Sequence, residues 1–165
     1  MTRWKIELRL PILTIGAEDI QIKFRRNRKA AGPYLIISRA CGLALDTGNQ
    51  SEPGNWTILW SPHAERQQLW YLRPTGVIGE FAVVSADNGL ALDATRETIG
   101  DIHPVMSEVK DEVWQRWRLE DAPDGAAYLL QSAHSRRFMT VNHDAGQTWS
   151  RSQLRGGLTC VVAGA

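Results

Sequence analysis

Short runs along the chain alternate strictly between apolar and polar positions. Trp4, Ile6, Leu8 and Leu10 fall on one parity, with Lys5, Glu7 and Arg9 between them. Ile20, Ile22 and Phe24 repeat the pattern against Gln21, Lys23 and Arg25. A period of two places one set of side chains on one face of a strand. Gly16-Ala17-Glu18-Asp19 separates the runs as a turn, so residues 1–32 read as a two-stranded, hairpin-like extension. Further on, Leu43 and Leu45 alternate with small or polar neighbours, as do Leu90 and Leu92. Gly42, Gly48, Pro53-Gly54, Pro62, Pro74, Gly76, Gly89, Gly100, Pro104 and Pro123 interrupt the chain every few residues. Such punctuation leaves no room for paired helices, and the chain reads as all-β.

The strands recur. Tyr34-Leu35-Ile36-Ile37-Ser38 precedes Gly42-Leu43-Ala44-Leu45-Asp46, and Phe81-Ala82-Val83-Val84-Ser85 precedes Gly89-Leu90-Ala91-Leu92-Asp93. Gln68-Leu69-Trp70 closes the first unit and Gln115-Arg116-Trp117 the second. Asp46 to Asp93 and Gln68 to Gln115 are both steps of 47 residues. A third, divergent unit opens at Tyr128-Leu129-Leu130-Gln131-Ser132. It continues to Asn142, 49 residues after Asp93. No single unit can bury its own apolar face, so the units must share one core. A closed propeller of similar period needs about four or more blades. Three units of about four strands fit a β-trefoil over 33–165, with repeats near 34–76, 81–125 and 128–165.

The pattern Gly-Leu-x-Leu-Asp, then Leu59-Trp60, then Gln67-Gln68-Leu69-Trp70, resembles the ricin B-type lectin repeat with its Gln-x-Trp signature. The resemblance implies a shallow sugar pocket in each functional repeat. In such a pocket the Asp accepts hydrogen bonds from neighbouring hydroxyls, an aromatic ring packs on the apolar face of the sugar, and an amide before Gln-x-Trp completes the contact. The chemistry is sound in itself. A carboxylate is a strong two-oxygen acceptor, and the C–H face of a pyranose suits an indole. Affinity per site is expected near the millimolar range.

Carried over repeat by repeat, the first keeps most. Asp46 is the carboxylate and Trp60 the platform. Gln67 stands where asparagine is usual and is one methylene longer. His63 is a candidate extra donor, with a solvated loop histidine as the leading alternative. In the second repeat Asp93 remains, but Val105-Met106-Ser107 supplies no aromatic and Trp114 replaces the amide. The third is read with Asn142 in place of the Asp and Trp149 as a platform after a shortened loop. Each Asp has a structural alternative, because Asp also holds turns through nearby backbone N–H groups. That alternative leads for Asp93 and stays open for Asp46. Trp70 and Trp117 are expected in the core, and Gln68 and Gln115 on backbone groups. Trp56 shares the parity of Trp60 and either extends the platform or covers the hairpin.

Composition changes the picture little. The 165 residues are 43% hydrophobic and 22% charged, an ordinary globular balance. The net charge of +1 gives no global field for nucleic acid. Charge is uneven, however. Residues 1–33 carry eight basic and three acidic side chains, and five of the seven residues 23–29 are basic. That run is read as a solvated loop, or else as a contact for a phosphate, a sulfated glycan or an acidic protein. No aromatic follows Phe24 within it, so base stacking is not supported. Cys41 and Cys160 allow at most one bridge, and free thiols are the plainer reading. No apolar run is long enough to span a membrane. Glu7 and Arg9 interrupt any leader, which makes the cytoplasm the default location and the Asn55-Trp56-Thr57 acceptor match accidental. His63, His103, His134 and His143 show no metal-ligand spacing, and no phosphate loop or nucleophile elbow is present. No metal, cofactor or catalytic residue is expected. The partner expected is a glycan, with galactose-type sugars as the first guess. The alternative is a protein-interaction trefoil that has lost its sugar, with the N-terminal extension as a possible contact.

Overall fold

Punctuated by Gly and Pro, the alternating runs become eleven short strands among the described residues. The structure is a computed structural model and describes residues 31–39, 41–48, 52–99, 102–122, 127–142 and 150–155. In order the strands are β1 (Ala31–Leu35), β2 (Ala44–Asp46), β3 (Ile58–Trp60), β4 (Leu69–Pro74), β5 (Phe81–Ser85) and β6 (Ala91–Asp93). They continue with β7 (Val105–Ser107), β8 (Trp117–Asp121), β9 (Tyr128–Ser132), β10 (Phe138–Asn142) and β11 (Ser150–Arg155). Single 3-10 turns at Arg66–Gln68 and Val113–Gln115 lead into β4 and β8. The extension expected over 1–32 lies outside the described residues, except that Ala31 and Gly32 open β1. The basic run at 23–29, His143, Trp149 and Cys160 also lie outside them.

Pairing is antiparallel throughout and divides the strands into two sets. β1, β4, β5, β8 and β9 follow one another as neighbours and form the barrel wall. β2–β3, β6–β7 and β10–β11 are hairpins, one per repeat. The hairpins meet each other: β3 pairs with β11 at Arg151↔Ile58, and Trp56 bridges Val105. The architecture is a β-trefoil.

The register shows how closely the repeats correspond. Leu45 faces Leu59, Leu92 faces Met106 and Met139 faces Leu154 in the three hairpins. The turn before each hairpin is built alike. Ser38, Ser85 and Ser132 donate their backbone N–H to Leu43, Leu90 and Arg137 at 2.8, 2.9 and 2.9 Å. Gly42, Gly89 and Arg136 hold the left-handed position of that turn, with φ of 70°, 75° and 59°.

This geometry corrects one expectation. Counting 47 from Asp93 leads to Thr140, which faces Gln153 as Asp93 faces Val105 and Asp46 faces Ile58. Asn142 therefore stands two residues beyond the acidic position. Two of the sequence landmarks are absent there: Arg136 stands in place of the glycine and Thr140 in place of the aspartate, and Asn142 is the next polar amide along the strand.

The core is one cluster. Tyr34, Ile36, Leu45, Leu59, Trp70, Leu72, Phe81, Val83, Leu92, Met106, Trp117, Leu130 and Met139 are all buried in it. Trp70 and Trp117 are fully buried, as expected. Each indole removes roughly 200 Å² from water, worth up to about 5 kcal/mol. Burial also requires a partner for the indole N–H, and Leu45 O and Leu92 O accept it at 3.0 and 2.9 Å. Half-buried Cys41 packs against the same cluster.

One close approach fixes the seam between β1 and β4. Their register shifts between Ala31 and Tyr34, where Gly32 has φ of 122°. A Cβ on Gly32 would lie 2.7 Å from Trp70 O, a backbone atom that cannot yield cheaply. Gly32→Ala is expected to destabilise the fold by about 1–3 kcal/mol. A lowered urea midpoint measures it, with Gly76→Ala as control, since nothing lies within 4 Å of a Cβ there.

Candidate functional site

The first repeat assembles its site on the outer face of the β2–β3 hairpin. Ala44 faces Trp60 and Asp46 faces Ile58, so these four share one side of the hairpin, with Leu45 and Leu59 on the other. Alternation along β3 is clean: Leu59 is buried while Trp60 remains 40% exposed. Asp46 lies at the buried floor and Trp60 stands open beside it.

The carboxylate of Asp46 is held firmly. Gly48 donates its backbone N–H to Oδ1 at 2.6 Å, closing a turn across two residues. Gln68 donates Nε2–H to Oδ2 at 2.9 Å. His63 Nε2 lies 3.4 Å from the same Oδ2. His63 Nδ1 accepts the Glu65 N–H at 3.2 Å, so the ring hydrogen belongs on Nε2 and points at the carboxylate. An ionised carboxylate has about four acceptor positions. These contacts occupy up to three, so both open readings of Asp46 meet in one group: it holds a turn and retains acceptor capacity.

Gln68 places the wall of the site. Its Oε1 accepts the backbone N–H of His63 at 2.8 Å and of Ala64 at 3.4 Å. Its Nε2 also donates to Ser61 O at 3.0 Å. The 61–64 loop is thereby folded over Asp46, and that brings His63 into place. Gln67 is tied to the turn after Asp46 through its backbone carbonyl, which accepts the Thr47 N–H at 3.1 Å. Gln67 Oε1 is buried with no hydrogen-bond partner.

The second repeat keeps the scaffold and changes the site. Gln115 Nε2 donates to Asp93 Oδ2 at 3.0 Å and to Glu108 O at 2.8 Å, and Gln115 Oε1 accepts the Lys110 N–H at 2.7 Å. Asp93 Oδ1 accepts the Thr95 N–H at 2.7 Å. Every one of these contacts lies 47 residues from its first-repeat counterpart. The variable positions differ. Ser107 faces Ala91 in the place of Trp60, and Lys110 replaces His63. Trp114 replaces Gln67, with the Arg96 guanidinium 4.5 Å over its ring and His134 at its edge. In the third repeat Thr140 holds the acidic position and Arg155, facing Phe138, the platform position. The register gives that position to Arg155, six residues past Trp149.

Two features escaped the sequence reading. The amide–carboxylate contact had a signal, since Asp46 to Gln68 and Asp93 to Gln115 are both 22 apart. The stack of Trp56 on His103, with ring centroids 5.3 Å apart and planes at 28°, joins residues of different repeats and had no local signal. Among the described residues no cluster of three or more His, Cys, Asp or Glu could hold a metal.

Residues 66–154 match the family described as ricin-type beta-trefoil lectin domain-like, more than half of the chain. The chain belongs to that family. The match takes in Gln67, Gln68, the second repeat and the third as far as Leu154, and leaves Asp46, Trp60 and His63 to be judged on geometry. No curated protein matches the lectin-like chain. Among solved structures it is similar to the designed threefold-symmetric protein ThreeFoil, at 26% identity and a TM-score of 0.72, covering 81% of this chain and 98% of that one. It is also similar to the Polyporus squamosus lectin bound to the human-type influenza-binding epitope Neu5Aca2-6Galb1-4GlcNAc. There the identity is 17% and the TM-score 0.66, over 84% of this chain and 48% of that one. Cytolethal distending toxin from Actinobacillus actinomycetemcomitans matches at 16% identity and a TM-score of 0.64, over 79% and 86%. At such identities the last two show the fold alone.

The buried amide contact is testable in the second repeat, away from the first-repeat site. Gln115→Leu leaves the Lys110 N–H, the Glu108 carbonyl and one Asp93 oxygen without their partner. It is expected to lower stability by about 2–4 kcal/mol, read from urea unfolding followed by circular dichroism.

Proposed function

We propose that the chain binds neutral sugars non-catalytically through the first-repeat site. The observation that carries this reading is the pairing of a buried, oriented carboxylate with an exposed indole on one hairpin face. Trp60 offers its ring to the C–H face of a pyranose. Asp46 accepts from a sugar hydroxyl with the capacity its structural partners leave. The His63 contact, at 3.4 Å, is the longest of its three and the one a ligand hydroxyl displaces or shares. Gln67 is the proposed second polar contact, its buried Oε1 being an acceptor without a partner beside the turn after Asp46. Galactose-type sugars remain the first probes. The site is open on the Trp60 side, which keeps affinity per site near millimolar.

The divergence of the other two repeats favours a second reading, a trefoil that engages a protein through its remaining surface. Neither Ser107 nor Arg155 can act as an aromatic platform, so multivalent sugar binding by one chain has no support.

Trp60→Ala separates the two readings. Asp46→Ala does not, because it also strips an acceptor from Gly48 N and Gln68 Nε2. Titration calorimetry with galactose, lactose and a panel of neutral glycans is expected to show saturable binding by the native chain and at least a tenfold loss in Trp60→Ala. The melting temperature should stay within about 2 °C, as for other exposed positions. Unchanged sugar binding in that variant would remove the first-repeat site from consideration.

A further inference from the structure

The outward stripe of β3 does not end at Trp60. Alternation runs back through half-buried Ile58 to Trp56, which is 48% exposed, while Thr57 and Leu59 between them are buried. Ile58 is the residue opposite Asp46, and its side chain packs on Gly48. Trp56, Ile58 and Trp60 therefore form one apolar line on the face that carries the sugar site. Four residues of strand span about 13 Å, too far for one pyranose ring to touch both indoles.

Trp56 is also built in. It bridges Val105 of the second repeat, and its ring is stacked on His103, the residue at its own position one repeat on. Backbone bonds from Gly54 N to Met106 O and from Met106 N to Asn55 O, 2.7 and 2.8 Å, hold the segment before it, and Thr57 N to Pro104 O, 3.3 Å, the segment after it. An indole supported from beneath and half open above is the arrangement a stacked sugar ring needs. Leaving two tryptophans this exposed on one strand costs burial that a ligand would restore.

Resting on the first-repeat reading, we infer that the ligand is an extended neutral oligosaccharide of three or more rings. It runs along β3 from the Asp46–Trp60 site to a second platform made by Trp56 and His103. The first ring takes the polar contacts of Asp46 and His63. Rings further along meet Ile58 and then Trp56, where stacking dominates. The second repeat carries His103 and Ser107 at the two tryptophan positions, so its hairpin has no matching pair of exposed indoles.

The test is titration calorimetry of the full chain with soluble oligosaccharides of one to five rings in galacto-, gluco-, manno- and N-acetylglucosamine series. The variants are Trp56→Ala, Trp56→Tyr and Trp60→Ala, each checked for native circular dichroism. The native chain should gain about tenfold in affinity between one ring and three or more in its preferred series. Trp56→Ala should lose that gain and keep monosaccharide binding, and Trp56→Tyr should restore most of it. A native affinity independent of length, or a Trp56→Ala variant that follows the native chain at every length, overturns the extended platform and leaves the first-repeat site standing. Sugar binding that survives Trp60→Ala, or none by the native chain to any series, overturns the first-repeat site, and the extended platform falls with it.

Discussion

Burial of a carboxylate beside a glutamine amide is the constraint on which each intact repeat depends. Asp46 and Gln68 are both buried, and neither is tolerable alone. Gln68 meets its requirement completely, with two backbone N–H groups on its oxygen and a carboxylate and a carbonyl on its nitrogen. Two residues on, Trp70 enters the core and donates to Leu45 O, the neighbour of Asp46. The Gln-x-Trp tripeptide thus grips β2 at adjacent residues, from the core side and from the outer side. One consequence is structural, the closure of the hairpin on the barrel. Another is chemical, since the loop carrying His63 is folded over the carboxylate by the same amide. The wall of the candidate site is set by a residue that needs no contact with any ligand.

Most of this was legible because it repeats. The step of 47 between Asp46 and Asp93 and between Gln68 and Gln115 marked the units, and the Leu alternation marked their strands. The core tryptophans followed from the signature, and the outward direction of Trp60 from its parity against Leu59. Legibility failed where only one repeat carried the feature. In the third unit the turn glycine became Arg136, which still takes the left-handed φ of 59°. Its backbone bond to Ser132 holds the turn without the glycine that would have aligned it. Asn142 then offered the nearest polar match, two residues past the true position at Thr140. The Trp56–His103 stack was illegible for a different reason. It joins two repeats across the cap, and no spacing within one repeat encodes it.

Divergence follows the division of labour within the repeat. Asp93, Gln115 and Trp117 keep the short hydrogen bonds of their counterparts, because each is buried and bonded to another. The first-repeat platform position is open to solvent, and Trp60 there takes no part in the buried core. Trp60 can become Ser107 at little cost to stability, since exposed substitutions rarely move it far. Once Ser107 has removed the platform, Trp114 under Arg96 is free to serve as surface packing. A trefoil can therefore lose sites singly while its core is kept, and fold alone says little about how many sites remain.

The cap imposes a further order on β3. β2 pairs along one edge of the strand, and β11, together with the Trp56–Val105 bridge to the second repeat, ties down the other. A strand paired on both edges cannot slide or twist independently of its neighbours. The separation of Trp56 from Trp60 is then a property of the frame, set before any ligand arrives. Preorganisation of that kind lowers the entropy lost when a flexible chain docks along it. It also explains why the open indoles sit on a hairpin strand at the junction of repeats. There, three independent pairings hold one short segment rigid enough to present side chains that contribute little to its folding.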